Sequence, residues 1–145
     1  MRSTSGWAAA GLLVAGLVLS GCSETAEAET ELPQPAKVEA IPGSKLSRLT
    51  LEEKAIERLG IKTAPARDLG AAGRKVVPYS AVIYDAAGAT WVYTNPEPRV
   101  YIRQSIKVES IGTEQAILSA GPTAGTAVVT VGAAELYGTE LGVDH

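Results

Sequence analysis

Three rhythms of apolar and polar residues follow one another along the chain. Residues Trp7 to Leu19 are apolar except for the interruptions at Gly11 and Gly16, residues 23 to 44 hold almost no large apolar side chains, and periodic patterns begin near Leu46. The first periodic stretch, "RLTLEEKAIERLGIKT", sets Leu51, Ala55, Ile56 and Leu59 on one face at helical spacing. Thr50 suits the N-cap, Glu53 completes a capping box and Gly60 is a natural stop. This predicts a short helix laid over a sheet, with Glu53, Lys54, Glu57 and Arg58 on its solvated side.

After Gly60 the period changes from helical to alternating. Strands are expected over Ile61 to Ala66, Lys75 to Tyr84, Thr90 to Thr94, Val100 to Ser110, Gln115 to Ser119 and Thr126 to Val131, separated by turn-forming clusters at 68–73, 86–88, 95–98, 111–113 and 121–125. In "RVYIRQSIKVES", Val100, Ile102, Ile106 and Val108 point one way, and Arg99, Arg103, Lys107 and Glu109 point to the other, solvated face. Gln104 interrupts the apolar side as a bulge would. Pro78 fits an edge or the start of a strand, which places Lys75 to Val77 at an open edge. A short helix is expected over Ala133 to Tyr137. Short strands at regular spacing give the fold class: mainly β, a small barrel-like domain with one short N-terminal helix.

The N-terminal rhythm is an address. Met1-Arg2 followed by an apolar run too short to span a bilayer has the layout of a secretory signal. Its end, Leu19-Ser20-Gly21-Cys22, resembles the lipobox of bacterial lipoproteins. That resemblance implies cleavage before Cys22 and a diacylglycerol thioether on its sulfur, in place of an incidental cysteine. Multiple acyl chains exceed what stable anchoring requires. Three segments result: a signal over 1–21, a lipidated cysteine with a disordered acidic tether over 22–44, and a β domain over 45–145. The tether carries five Glu, one Lys and three Pro between residues 23 and 44, a composition that does not collapse into a core. Its flexible reach is about 25 Å.

Charge and composition then remove function classes. The formal net charge is −3, and the negative balance sits in the tether. With no basic stripe and no basic-aromatic interleaving, there is no case for nucleic acid as a partner. Cys22 is the only cysteine, Met1 the only methionine and His145 the only histidine. A His-based catalytic group, a thiol nucleophile and a His, Cys or Met metal site are therefore not expected. "GAAGRK" and "GPTAGTAVV" lack the spacing of phosphate-binding loops and read as turns. The expectation is a protein that is not an enzyme and holds neither metal nor small-molecule cofactor.

Motif order adds a family resemblance. "KVVPYSAVIYDAAGATWVYT", the mixed strand "RVYIRQSIKV" and "AILSAGPTAGTAVVTVGAAELYGTELG" together resemble the C-terminal part of the periplasmic adaptor (membrane fusion) proteins of resistance-nodulation-division efflux pumps. The matching positions are Val77, Pro78, Ser80, Ala81 and Val82, then Trp91, Val92 and Tyr93, then Gly121, Gly125, Val128, Val129 and Gly132. "LTLEEKAIERLGIKTAPA" resembles the segment preceding the family's central domains, so the likeness spans roughly residues 46 to 142. It departs at Asp68 to Gly73, which bridges the place where a full adaptor inserts its lipoyl-like domain and helical hairpin. What remains resembles the membrane-proximal domain. The resemblance implies a lipid-anchored, extracytoplasmic accessory subunit that binds and positions an inner-membrane efflux permease. Tyr79, Trp91, Tyr93, Tyr101 and Arg103 are the candidate partner interface, being residue types enriched at binding hot spots; packing of Trp91 and Tyr93 in the core is the competing reading. A stand-alone envelope lipoprotein with a structural or ligand-binding role is the alternative function.

Overall fold

The computed structural model describes residues 34–142. The expected signal segment, Cys22, most of the tether and His145 lie outside the described residues. The chain is mainly β, as the alternation predicts. Its strands are β1 (Ala36–Ala40), β2 (Ser47–Leu51), β3 (Lys62–Pro65), β4 (Arg67–Leu69), β5 (Arg74–Pro78), β6 (Ile83–Tyr84), β7 (Thr90–Glu97), β8 (Val100–Ser105), β9 (Lys107–Ile111), β10 (Gln115–Ala120) and β11 (Ala127–Val131). Helices α1 (Glu53–Leu59) and α2 (Ala133–Glu140) and a 3-10 turn at Tyr79–Ala81 complete it.

The strands form two antiparallel sheets, not a barrel. The larger runs β1-β2-β8-β7-β11-β3, with β6 also paired to β7, and the smaller runs β4-β5-β10-β9. Both are open, and the chain crosses between them four times: through the 3-10 turn between β5 and β6, through the turn between β10 and β11, and twice at a corner made by a single buried residue. Ala66 separates β3 from β4; its N–H donates to Thr126 O at 2.8 Å and its carbonyl accepts from Gly125 N–H at 2.8 Å. Ile106 separates β8 from β9; its N–H donates to Thr90 O at 3.0 Å, and Thr90 Oγ1 returns a bond to its carbonyl at 2.9 Å. The expected strand over 100–110 is thus two strands in different sheets. Each corner's backbone is fully bonded, so the bends leave no buried polar group unpaired.

Two cores result, one on each face of the larger sheet. Leu49, Leu51, Tyr93, Tyr101 and Val129 pack with Ala55, Ala133 and Leu136 of the helices. Val92, Val128 and Ile106 pack with Ala66, Val77, Ala81, Ala116 and Leu118 on the side of the smaller sheet. Adjacent residues of β7 (Val92, Tyr93) and β11 (Val128, Val129) therefore serve opposite cores. That is why these central strands read as continuous apolar runs.

Several local expectations are corrected. Residues 36–40, assigned to the disordered tether, form β1 and pair in register with β2 from Ala36↔Leu51 to Ala40↔Ser47. Thr50 is no N-cap: it lies in β2, paired with both Lys37 and Val100. The N-cap is Glu52, without a side-chain capping bond, while Gly60 closes α1 at φ 62 as expected. Lys75 to Val77 is not an open edge, because the Asp68–Gly73 turn folds β4 back on β5 and β10 covers its other side. Gln104 is no bulge; it pairs with Val92, and the irregularity of that ladder falls between Thr94 and Glu97.

Candidate functional site

Four of the five nominated interface residues lie on β7 and β8, which pair as Trp91↔Ser105 and Tyr93↔Arg103. This register brings Trp91, Tyr93 and Arg103 together on the face that α2 covers. Arg103 is the organising group. Its guanidinium carbon sits 4.4 Å from the centre of the Trp91 ring and 5.1 Å from that of Tyr137 on α2. Both distances are within cation–π range.

The counter-charge comes from the last residue of α2. Glu140 accepts hydrogen bonds from the Tyr93 hydroxyl, from Arg103 Nη2 at 3.4 Å and from Ser47 N–H at 3.4 Å. Arg103 Nε lies 3.2 Å from Glu140 Oε2 without the alignment of a hydrogen bond, so that contact is coulombic. The pair is secluded: side-chain exposure is 11% for Arg103 and 4% for Glu140. Arg103 thus lies under α2 and not on the solvated face that strand alternation predicts. Burial first, then the Glu140 hydrogen bond, pushes the Tyr93 phenol far above its ordinary value. Burial also raises Tyr101.

A second small network fixes Trp91 from the other side. Its indole Nε1–H donates to Asp85 Oδ2 at 3.0 Å, while Asp85 Oδ1 accepts from the N–H groups of Ala87 and Ala89, both at 2.9 Å. The indole bond, followed by these backbone donors, holds the Asp85 carboxyl below the usual carboxylate range. β6 and β7 are joined here by an Asp85–Ala89 turn whose carboxylate satisfies both backbone and indole.

The nominated residues accordingly divide. Tyr93 and Tyr101 are 0% and 4% exposed and belong to the helix-side core, so neither offers a surface to a partner. Trp91 is half-buried and Arg103 is committed to Glu140. Tyr79 is 38% exposed at the 3-10 turn, held by its N–H to Glu114 O at 2.9 Å, and it lies beside Tyr84, whose phenol it raises. Tyr84, itself largely exposed, was missed by sequence reasoning; its place in the two-residue strand β6 is visible only once β6 pairs with β7.

A groove of about 630 Å³ lies between β1, α1 and the end of α2, lined by Pro35, Ala36, Val38, Leu51, Ala55 and Leu59, with Gln34, Thr139 and Arg58 as its polar groups. Among the described residues, no three His, Cys, Asp or Glu side chains are grouped to hold a metal, and no helix is long and apolar enough to cross a membrane. No family model matches the chain, and no curated protein or solved structure matches it either.

Proposed function

We propose that this chain is a lipid-anchored extracytoplasmic accessory subunit of an efflux transporter, acting by binding and positioning. The observation that carries the reading is the order of the adaptor-like motifs in the sequence, which fall on successive elements of the fold. Val77-Pro78 closes β5, Ala81 ends the 3-10 turn, Trp91-Val92 lies in β7, and Val128-Val129 forms the middle of β11. The Gly121 to Gly125 turn joins β10 to β11. These are the positions on which the resemblance to efflux adaptors rests.

The partner in this reading is an inner-membrane permease, and the anchor is Cys22. Confinement to one membrane raises effective concentration, so a modest interface stays occupied without high intrinsic affinity. Tyr79 and Tyr84, side by side and both exposed, supply the accessible aromatic contact. The test is crosslinking in cells followed by membrane pull-down, comparing the native chain with Cys22→Ala. Recovery of a multi-span transporter with the native chain and its loss with Cys22→Ala is expected; recovery of envelope-processing components alone refutes the proposal.

One observation favours the second reading, a stand-alone envelope lipoprotein that binds a ligand. The groove beneath β1 has the size of a small-molecule site and combines apolar side chains with a few polar groups, Gln34, Thr139 and Arg58.

A further inference from the structure

We infer that β1 is a self-complementary edge through which two copies of this chain join their larger sheets. β1 is the outermost strand of that sheet and, among the described residues, pairs only with β2. Pro35 O accepts from Glu52 N–H at 3.0 Å, and Ile41 N–H donates to Leu46 O at 3.1 Å. Odd-numbered positions therefore turn their backbone groups toward β2. By the alternation of an antiparallel ladder, the N–H and C=O groups of Ala36, Val38 and Ala40 face the open side.

A second β1 can be laid antiparallel against this edge about a two-fold axis, the commonest symmetry of homo-oligomers. With Val38 opposite Val38 of the second copy, Ala36 faces Ala40, and each Lys37 faces a Glu39. The outward groups of Ala36, Val38 and Ala40 then form the hydrogen-bonded pairs. Lys37 and Glu39 fall at the non-hydrogen-bonded positions, where opposing side chains come closest.

Charge selects this register. A slip of two residues keeps the backbone bonds but sets Lys37 against Lys37, or Glu39 against Glu39. A slip of one residue loses the bonding parity and turns every side chain to the wrong face. Lysine on an exposed edge ordinarily discourages pairing with another strand. Here the glutamate two residues along offsets it: Lys37 Nζ and Glu39 Oε1 are 2.9 Å apart on one face of the strand, ready to form an alternating square of four charges across the axis. On the other face Val38, 44% exposed, gains an apolar neighbour. The inference does not depend on the efflux reading.

The test is sedimentation velocity of the full-length chain in detergent over a concentration series, with folding followed by circular dichroism. The native chain is expected to show a concentration-dependent dimer. Lys37→Glu and Glu39→Lys each turn two attractive pairs repulsive and should weaken dimerisation by about tenfold or more. The double variant Lys37→Glu/Glu39→Lys restores the pairing and the dimer, and an equimolar mixture of the two single variants forms the mixed dimer in preference to either homodimer. Val38→Pro removes an outward N–H but none facing β2, so it should be monomeric without losing the strand signal. A native chain that stays monomeric throughout overturns the inference. So does a dimer indifferent to the single substitutions or to Val38→Pro, or one that the double variant fails to restore.

Discussion

Replacing Arg103 with Met removes a buried cation while keeping a flexible apolar stem between the Trp91 and Tyr137 rings. What remains is the Glu140 carboxylate, with only the Tyr93 hydroxyl and the Ser47 N–H as donors. It also stands at the C-terminal end of α2, where a negative charge is disfavoured by about 0.3–1 kcal/mol. Uncompensating one member of a buried ion pair costs about 3–5 kcal/mol. The lost cation–π contacts add roughly 0.5–2 kcal/mol, and the sulfur-aromatic contacts of the new methionine return about 0.3–1.5 kcal/mol. The net expectation for Arg103→Met is a loss of about 4 kcal/mol. Glu140→Gln, which strands the guanidinium instead, should lose about 3 kcal/mol. Made together, the two changes leave no buried charge, so the double variant should lose far less than the sum, with a coupling of about 2–3 kcal/mol. Urea unfolding followed by the fluorescence of Trp91, in a Trp7→Phe background so that it is the sole tryptophan, measures all three differences. If the single losses add to within about 0.5 kcal/mol, Arg103 and Glu140 do not act as a pair and the account of α2 as a helix clasped to the sheet by charge is wrong.

Two further outcomes follow from the same contacts. Gly132 opens α2 at φ 90, and a Cβ there would come within 2.8 Å of Ile61 Cγ1, so Gly132→Ala should cost about 1–3 kcal/mol, whereas Gly138→Ala, at a site with nothing within 4 Å, should gain a few tenths to about 1 kcal/mol in the same unfolding assay. Asp85 has a carboxyl held down in the folded state, so its contribution is fully present above the unfolded carboxyl value near ~4 and is lost as pH falls through the lower folded value; Asp85→Asn should flatten the acid limb of the stability profile, and the Trp91 indole N–H resonance should titrate with Asp85 in the native chain only.

Most strand positions were legible because their burial is local and periodic. The runs around Val92, Val128 and Leu118 read as strands, Gly60 as a helix stop and Gly121 to Gly125 as a turn, each from a few neighbouring residues. What was not legible depends on contacts distant in sequence. Arg103 alternates with Ile102 and so reads as solvated; only α2, folding back from residues 133–140, covers it. Ile106 and Ala66 look like ordinary strand residues, and nothing local marks them as corners where the chain changes sheets, so the alternation predicts a barrel where the chain forms two open sheets. β1 was missed for the opposite reason. Its five residues carry one large apolar side chain, and their order comes from backbone pairing with β2, a source that composition does not record.

The same geometry limits where a partner can bind. The larger sheet is covered on one face by helices and on the other by the smaller sheet, so its central strands have no free face, and Tyr93 and Tyr101 are spent on the core. Recognition therefore falls to the margins: the aromatic side chains at the 3-10 turn and β6, the groove under β1, and the open strand edges. These sites are well separated along the chain, with Tyr79 and Tyr84 at one junction and Lys37 to Glu39 at the outermost strand. The proposed transporter contact at the first and the inferred self-pairing at the second would then be independent demands on the surface. The charge swaps in β1 should leave a Tyr79-dependent partner crosslink intact, and Tyr79→Ala should leave the dimer intact. If either substitution abolished both activities, the two margins would have to form one surface, and the separation inferred from strand order would fail.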